Sequence, residues 1–138
     1  MIVLDTNVVS EPLKPRPDPA VLGWLDRQGP VTLYLTTISL AELLAGVQAL
    51  PAGKRRAELQ GVLSSELVSL FAGRILAFGE RSAAAYAEVV SSANAAGNPI
   101  HFADAAIAAI AMEHNFMLAT RNARDFKGTS IELLDPWA

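Results

Sequence analysis

The chain has 138 residues, 51% of them apolar, and this length suffices for one hydrophobic core but not for two, so we expect a single domain over residues 1–138. The absence of cysteine excludes a disulfide framework and a thiolate zinc site, and the lack of a secretory or membrane-spanning pattern predicts a cytoplasmic protein. A net charge of −3 argues against bulk electrostatic binding to nucleic acid, so a polyanionic substrate would need local basic groups.

Short apolar segments alternate with helical patterns along the chain. Ile2–Leu4 is wholly apolar, as expected of a strand buried on both faces. Asp18 followed by Pro19 is an N-cap signal that opens a helix, and Gly29-Pro30 closes it. The pattern predicts further strands at 31–36, 75–78, 116–119 and 131–134, and further helices at 39–50, 54–70, 83–96 and 100–114.

This alternation predicts an α/β fold in which a central parallel sheet carries helices on both faces, a three-layer α/β/α arrangement. Ligands of such open sheets bind beyond the carboxyl ends of the strands. Polar residues that directly follow the predicted strands are therefore the first candidates for a functional site.

Two acidic residues stand near such strand ends. Asp5 follows the first strand together with Thr6 and Asn7, although an aspartate here also serves as a simple helix cap. Glu42 lies three residues after Ser39, which is the spacing of a capping box. The apolar neighbours of Glu42 argue against a purely structural capping role, because a carboxylate among them is costly to bury without a cation or hydrogen-bond donors.

A third acidic residue, Asp104, interrupts an alanine-rich helical segment. A pair with His101, or the preference of acids for helix N-termini, would explain it locally. In a parallel sheet, however, Asp5, Glu42 and Asp104 can converge on one edge, where their mutual repulsion calls for raised pKa values or a bound cation. Oxygen ligands of this kind suit Mg²⁺, or Mn²⁺ in its place, acting on a phosphodiester.

Four segments, in this order, resemble the successive motifs of PIN-domain proteins, and the likeness is closest to VapC-like toxins. The segments are Met1-Ile-Val-Leu-Asp5-Thr-Asn7-Val-Val-Ser10-Glu-Pro, Ser39-Leu-Ala-Glu42-Leu-Leu-Ala-Gly46, Ala103-Asp104-Ala-Ala-Ile-Ala-Ala109 and Ala119-Thr-Arg-Asn122-Ala-Arg-Asp125-Phe126, with Pro136-Trp137 near the C-terminus. The resemblance implies a PIN-like fold and Mg²⁺-dependent endoribonuclease activity. It also implies that the chain is the toxin of a toxin-antitoxin pair, neutralised by a cognate antitoxin whose C-terminal segment covers the site.

Position by position, the resemblance assigns metal binding and catalysis to three acidic residues and a supporting role to three polar ones. The acidic residues are Asp5, Glu42 and Asp104, and the polar ones are Thr6, Asn7 and Thr120. The resemblance therefore predicts a metal site built from these residues.

At the fourth acidic position of the family this chain has Asn122, which we count with the catalytic residues, and Asp125 follows three residues later as a supporting group. An amide oxygen can coordinate a metal but brings no charge. We therefore expect one tightly held ion and a weaker second one, and we predict that Asn122→Asp strengthens metal binding. Arg121 and Arg124 are candidate phosphate contacts, with plain solvent exposure as the alternative.

Two other functions fit parts of the pattern. Asn122 is compatible with a catalytically weak PIN-like module that binds RNA or a partner. A phospho-acceptor or phosphatase fold would use Asp5 as a nucleophile, although Thr6 and Asn7 stand where such folds place a second acid. Four large side chains are candidates for a homodimer interface, an antitoxin groove or the core, namely Trp24, Phe71, Phe78 and Trp137.

Overall fold

The computed structural model describes residues 1–138 and contains a five-stranded sheet in the order β3-β2-β1-β4-β5, with every neighbouring pair parallel. The strands are β1 (Ile2–Leu4), β2 (Leu33–Thr36), β3 (Ile75–Leu76), β4 (Met117–Ala119) and β5 (Leu133–Leu134). The predicted parallel α/β fold is thereby confirmed. The chain leaves β1 toward β2 on one side and returns to β4 on the other, so the strand order reverses at β1.

Seven α-helices surround this sheet. They are α1 (Thr6–Ser10), α2 (Pro19–Arg27), α3 (Thr37–Gln48), α4 (Lys54–Gly61), α5 (Val68–Leu70), α6 (Glu80–Ala95) and α7 (Phe102–Glu113). A π-helical segment, Val62–Leu67, joins α4 to α5, and short 3-10 turns occur at Glu11–Leu13, Pro30–Thr32 and Ala123–Phe126. None of the helices combines the length and the hydrophobicity that crossing a membrane requires.

Two hydrophobic cores lie on opposite faces of the sheet. Ile2 and Leu4 of β1 point into the core beneath α1 to α4 and the π-helical segment, whereas Val3 between them points into the core formed with α6 and α7. Helix α7 is buried over seven consecutive residues, from Ala105 to Ala111. Its alanines allow close packing of α7 against both α6 and the sheet, which completes the predicted three layers.

The element boundaries differ from the sequence-based prediction where tertiary contacts decide them. The strand predicted over 31–36 begins at Leu33, because Pro30 opens a 3-10 turn in front of it. The helix predicted to begin at Ser39 begins at Thr37 instead, since the side chain of Thr36 accepts a hydrogen bond from the backbone N–H of Ser39 at 3.0 Å. Strands β3 and β5 are only two residues long because each has a neighbour on one side alone.

Candidate active site

Asp5 leaves the carboxyl end of β1 and is held from three directions. Its backbone N–H donates to the carbonyl of Ala119 at 2.9 Å, which continues the ladder between β1 and β4. Its Oδ1 accepts from the backbone N–H of Thr6 at 2.8 Å, so Asp5 does cap α1, and its Oδ2 accepts from the hydroxyl of Thr120 at 2.7 Å. With 4% of its surface exposed, Asp5 is a buried carboxylate fixed at both oxygens.

Glu42 is directed toward Asp5 by Thr6. The capping-box alternative for Glu42 is wrong, because the N-cap of α3 is Thr36 and not Ser39. Instead, Glu42 Oε1 accepts a hydrogen bond from the Thr6 hydroxyl at 2.6 Å, and the buried Ser39 Oγ lies 3.0 Å from that same hydroxyl. Thr6 therefore links two of the three acidic residues, through its backbone N–H to Asp5 and through its hydroxyl to Glu42.

Asp104 lies in the first turn of α7, which runs antiparallel to β4 and so begins at the carboxyl edge of the sheet. The pKa of Asp104 is raised to about 6, chiefly by burial and further by the charges of Asp5, Asp125 and Glu42, while His101 opposes the rise. His101 and Asp104 form no ion pair, so the predicted local partnership reduces to a weak electrostatic influence. The protein supplies no hydrogen-bond donor to the Asp104 carboxylate.

Burial also raises the pKa of Asp5, against the lowering effect of the hydrogen bonds from Thr120 and Thr6. The charges of Glu42 and Asp125 raise the pKa of Asp5 further. The pKa values of Asp5 and Asp104 thus respond to the same neighbours. We call the group formed by Asp5, Glu42, Asp104 and Asp125 the acidic pocket.

The segment after β4 forms one wall of the acidic pocket. Thr120 is fully buried, and its hydroxyl oxygen accepts a hydrogen bond from the backbone N–H of Asn122 at 3.1 Å. The Asn122 carbonyl in turn accepts from the backbone N–H of Asp125 at 2.9 Å. The side chains of Asn122 and Asp125 are exposed and make no hydrogen bond to the protein, so both remain available to solvent or a ligand.

Two anchors hold this wall in place. Asn98, between α6 and α7, extends its side-chain amide toward three carbonyl groups of the wall, the nearest being that of Lys127 at 3.0 Å. Phe126 is buried in the second core. Gly128 has a φ of 92°, and an added Cβ there would overlap the methyl group of Ala96. The wall is thus fixed by its backbone and by Phe126, which leaves its polar side chains free.

The remaining predicted residues lie close in the chain to Asp5 and Thr120. Asn7 Oδ1 faces the backbone N–H of Arg121 at 3.5 Å. The guanidinium of Arg121 lies 5.1 Å from the ring centroid of Trp137. Arg124 is exposed and its side chain makes no hydrogen bond or ion pair, as its solvent-exposed alternative predicted.

The donors of the acidic pocket fit a hard divalent cation in their chemistry. Carboxylate, hydroxyl and amide oxygens are the ligands that Mg²⁺ prefers, and repulsion among the carboxylates is relieved by a positive charge. As the side chains stand, no three acidic or histidine residues form a group that would hold an ion by themselves. Mg²⁺ commonly binds through one or two carboxylates and keeps several waters, so this arrangement is compatible with it.

The sequence-based interpretation missed the role of Ser39 and left open whether the four large side chains belong to the core or to an interface. Ser39 is buried beside Thr6. Its location at the start of the motif that contains Glu42 was the signal in the sequence for this role. Phe71 is in the core, and Trp24 and Trp137 pack against it. Phe78 belongs to an aromatic cluster with Tyr86 and Phe102, whose rings lie 5.5 to 6.3 Å apart.

Comparisons with known proteins agree with this fold. A family model for the PIN domain matches residues 2–131. VapC ribonuclease Y4jK of Sinorhizobium fredii is 46% identical over 137 residues, covering 99% of this chain and 98% of the relative. Toxin FitB of Neisseria gonorrhoeae is 44% identical, covering 99% of both proteins. The solved structure of FitAB bound to an IR36 DNA fragment superposes with a TM-score of 0.96 at 42% identity, covering 100% of this chain and 96% of that one.

Proposed function

The chain belongs to the PIN-domain family, in the group that includes VapC- and FitB-type toxins, and on that premise we propose that it is a Mg²⁺-dependent endoribonuclease that acts in the cytoplasm as the toxin of a toxin-antitoxin pair. The observation that supports this most strongly is the convergence of Asp5, Glu42, Asp104 and Asp125, which come from four separate parts of the chain, into one electrostatic environment. Such crowding of negative charge is unfavourable for stability and is typical of sites that recruit a cation.

Asp5, Glu42 and Asp104 are the residues we propose as metal ligands, and Mn²⁺ would substitute for Mg²⁺. Asp104 has no hydrogen-bond donor within the protein, and Glu42 uses only Oε1, so both retain oxygens for an ion. When bound, the ion would activate water for attack on phosphorus and offset the negative charge of the phosphodiester.

The chain's own polar residues prepare this site before any ligand arrives. Thr6 fixes the relative orientation of Asp5 and Glu42, and Thr120 fixes the second oxygen of Asp5. Groups that orient ligands in this way set both the affinity for the metal and the position of the reacting water. Asn122, with a free amide on the pocket wall, is placed to coordinate or orient water without adding charge.

RNA has to approach this negative pocket against electrostatic repulsion. Arg121 and Arg124 are the nearest cationic residues along the chain to Thr120 and Asn122, and both are exposed. We propose that they contact phosphates on either side of the bond that is cut. The substrate would therefore be held locally, consistent with the negative net charge of the whole protein.

An apolar groove supports the proposal of an antitoxin partner. A cavity of about 480 Å³ lies between α2 and the π-helical segment and is lined by side chains such as Leu25, Val62 and Leu70. A second cavity of about 270 Å³ shares Leu13 with the first and reaches Glu42. An antitoxin helix in the first cavity, followed by an extended segment through the second, would cover the acidic pocket. Leu70→Glu should then raise the amount of antitoxin needed to stop cleavage.

We also propose a homodimer, formed through the aromatic cluster of Phe78, Tyr86 and Phe102. Phe102 is 59% exposed and lies next to Phe78 and Tyr86, so the cluster presents an aromatic surface that a second copy could cover. Sedimentation of the purified chain would test this proposal. A dimer that dissociates in Phe102→Ser would support it, whereas a wild-type monomer at micromolar concentration would refute it.

The central experiment is RNA cleavage by the purified chain, freed of antitoxin, with and without Mg²⁺. Asp5→Asn and Asp104→Asn should each lower cleavage by about 100-fold or more, because each removes a proposed ligand of an ion that supplies several kcal/mol. Asp26→Asn, an exposed change on α2 away from the pocket, is the matched control. RNA binding without Mg²⁺-dependent cleavage would favour the alternative of a catalytically weak binding module.

The phospho-acceptor alternative makes a different prediction, a phosphoryl group trapped on Asp5. Both oxygens of Asp5 accept hydrogen bonds and the residue is 4% exposed, which disfavours it as a nucleophile. Mass spectrometry after incubation with a phosphoryl donor would detect such an adduct. Its appearance would contradict the ribonuclease proposal.

A further inference from the structure

Near the end of the chain an aromatic ring lies against a cation, Arg121, which directly follows Thr120, the residue whose hydroxyl donates to Asp5. The guanidinium carbon of Arg121 lies 5.1 Å from the ring centroid of Trp137. Resting on the ribonuclease function proposed above, we propose that Trp137 is a positioning residue that holds Arg121 in place to bind a phosphate of single-stranded RNA next to the bond that is cut.

The ring of Trp137 is itself fixed. Pro136 is buried, the backbone N–H of Trp137 donates to Asp135 Oδ1 at 2.9 Å, and the ring packs against the first core. The tail joins the pocket wall directly, because the backbone N–H of Thr120 donates to the carbonyl of Leu134 at 2.9 Å. Trp137 is thus a rigid support whose position is set by the same strands that place Thr120.

Arg121 is fixed at its backbone and free at its tip. It follows the buried Thr120, and its backbone N–H faces Asn7 Oδ1 at 3.5 Å. Its guanidinium makes no hydrogen bond and no ion pair within the protein. Stacking on a ring orients a guanidinium without using its N–H donors, so all five remain available for a phosphate.

A second stacked arginine in the same protein shows the contrast. Arg74 lies 5.3 Å from the ring centroid of Phe71, but its guanidinium donates to the carbonyl of Leu70 at 2.6 Å and also to the carbonyls of Pro30 and Leu33. Arg74 therefore ties segments of the fold together. Arg121 has the same stacking without those bonds, which points to a ligand outside the chain.

The positive charge of Arg121 favours an anionic ligand. The acidic pocket repels RNA, so a phosphate needs a nearby positive charge. The charge of Arg121 is within electrostatic reach of Glu11, which itself is paired with Lys14 at 2.8 Å. Glu11 is thereby already neutralised by another cation, so the charge of Arg121 remains available to the substrate.

Binding of RNA without cleavage tests the proposal most cleanly. The probe is a fluorescently labelled single-stranded RNA oligonucleotide of mixed sequence, titrated into Asp104→Asn protein so that it stays intact. Adding Arg121→Ala should weaken RNA binding roughly 10-fold, as expected for a hydrogen-bonded charge contact. The slope of the logarithm of the binding constant against the logarithm of the salt concentration should become less steep by about 0.7. Arg27→Ala, an exposed arginine at the opposite edge of the sheet, is the charge-matched control and should change neither.

The positioning role of Trp137 is tested by comparing its variants with and without Arg121. Trp137→Leu should weaken RNA binding roughly 3-fold, Trp137→Phe should restore most of it, and Trp137→Leu should add nothing once Arg121 is alanine. In cleavage assays with otherwise unmodified protein, both changes should raise KM more than they lower kcat. If Trp137→Leu does not fold, Arg121→Lys replaces it. That variant keeps the charge but loses the planar stack, and it should show most of the alanine loss.

The possible failures are distinguishable. Cleavage by the unmodified protein combined with unchanged RNA affinity in Arg121→Ala would overturn this inference and leave the ribonuclease proposal standing. A Trp137→Leu effect that persists in the Arg121→Ala background, or full affinity in Arg121→Lys, would remove the positioning role of the ring. If the unmodified protein neither binds nor cleaves RNA, both proposals fail.

Discussion

The two halves of the acidic pocket are held in different ways. On one side, Thr6 connects Asp5 to Glu42 and Thr120 binds the other oxygen of Asp5, by hydrogen bonds of 2.6 to 2.8 Å. On the other side, the side chains of Asp104, Asn122 and Asp125 make no hydrogen bond to the protein at all. The first half is organised in advance, whereas the second half has oxygens and an amide that only a ligand, an ion or water can engage.

This difference indicates how the fold tolerates a concentration of negative charge. On the organised half, the hydrogen bonds that Thr120 and Thr6 donate to Asp5 limit the rise in its pKa. The pKa of Asp104, without such donors, rises to about 6. Removing a donor from the organised half should therefore destabilise the metal-free protein, whereas removing the charge of Asp104 from the open half should stabilise it at neutral pH.

Thr120→Val should have the largest effect on the organised half. It removes the donor to the buried Oδ2 of Asp5 and should lower Mg²⁺ affinity by about 10- to 100-fold and stability by about 1 to 3 kcal/mol. Calorimetric Mg²⁺ titration and urea unfolding measure the two quantities. Thr32→Val, which removes a hydroxyl at the opposite edge of the sheet, is the control. Equal Mg²⁺ affinity in both variants would mean that the Thr120 hydroxyl does not prepare the site.

Gly128→Ala should disturb the wall of the open half. The positive φ and the overlap with Ala96 should together cost about 1 to 3 kcal/mol of stability. The matched control is Gly61→Ala in α4, where an added Cβ meets nothing within 4 Å and should stabilise the helix by about 0.5 to 1 kcal/mol. In thermal unfolding, the Tm should fall in Gly128→Ala and rise in Gly61→Ala. An unchanged Tm in Gly128→Ala would show that the wall adjusts to the added Cβ.

Asn122→Asp adds a negative charge to the open half of the acidic pocket. It should strengthen Mg²⁺ binding by roughly 3- to 10-fold, since a carboxylate replaces a neutral amide oxygen beside Asp125. It should also raise the pKa of Asp104 further in the metal-free protein. An unchanged magnesium titration would argue against any ligand role for residue 122.

Asp104→Asn should have a small effect on stability that depends on pH. The raised pKa of Asp104 means that the folded, metal-free protein binds this proton more tightly than the unfolded chain does, so its stabilising contribution is present below pH 3.8 and is lost as pH rises through about 6. Above pH 6 the asparagine variant should be more stable by about 1 kcal/mol, because the carboxylate is only partly buried and is screened by water. Urea unfolding with a chelator present, at acidic and neutral pH, would measure this. An asparagine variant that is less stable at neutral pH would contradict the assignment of repulsion to Asp104.

The sequence indicated the position of the acidic pocket because parallel strands bring their carboxyl ends to one edge. Asp5 and Thr120 directly follow β1 and β4, so their proximity follows from the apolar segments that precede them. The parallel sheet, predicted from the alternation of strands and helices, the helix that begins at Pro19 and the long helical segment from Lys54 are confirmed as well.

Other features depend on contacts that no local pattern contains. The hydroxyl of Thr6 reaches Ser39 and Glu42 across separations of 33 and 36 residues, and Thr120 reaches Asp5 across 115. Which of several polar side chains forms such a bond is decided by the packing of strands and helices. For the same reason the N-cap at Thr36 and the stacking of Arg121 on Trp137 could not be assigned from spacing alone.

Binding of Mg²⁺ to the purified, antitoxin-free chain, followed by calorimetry across the pH range, tests the central claim most directly. If the acidic pocket is the metal site, affinity should fall as pH drops through about 6, because a proton on Asp104 competes with the ion. Mg²⁺ binding should also be lost in Asp104→Asn and retained in Asp26→Asn. A titration that is the same in all three proteins, or that does not change with pH, would contradict it.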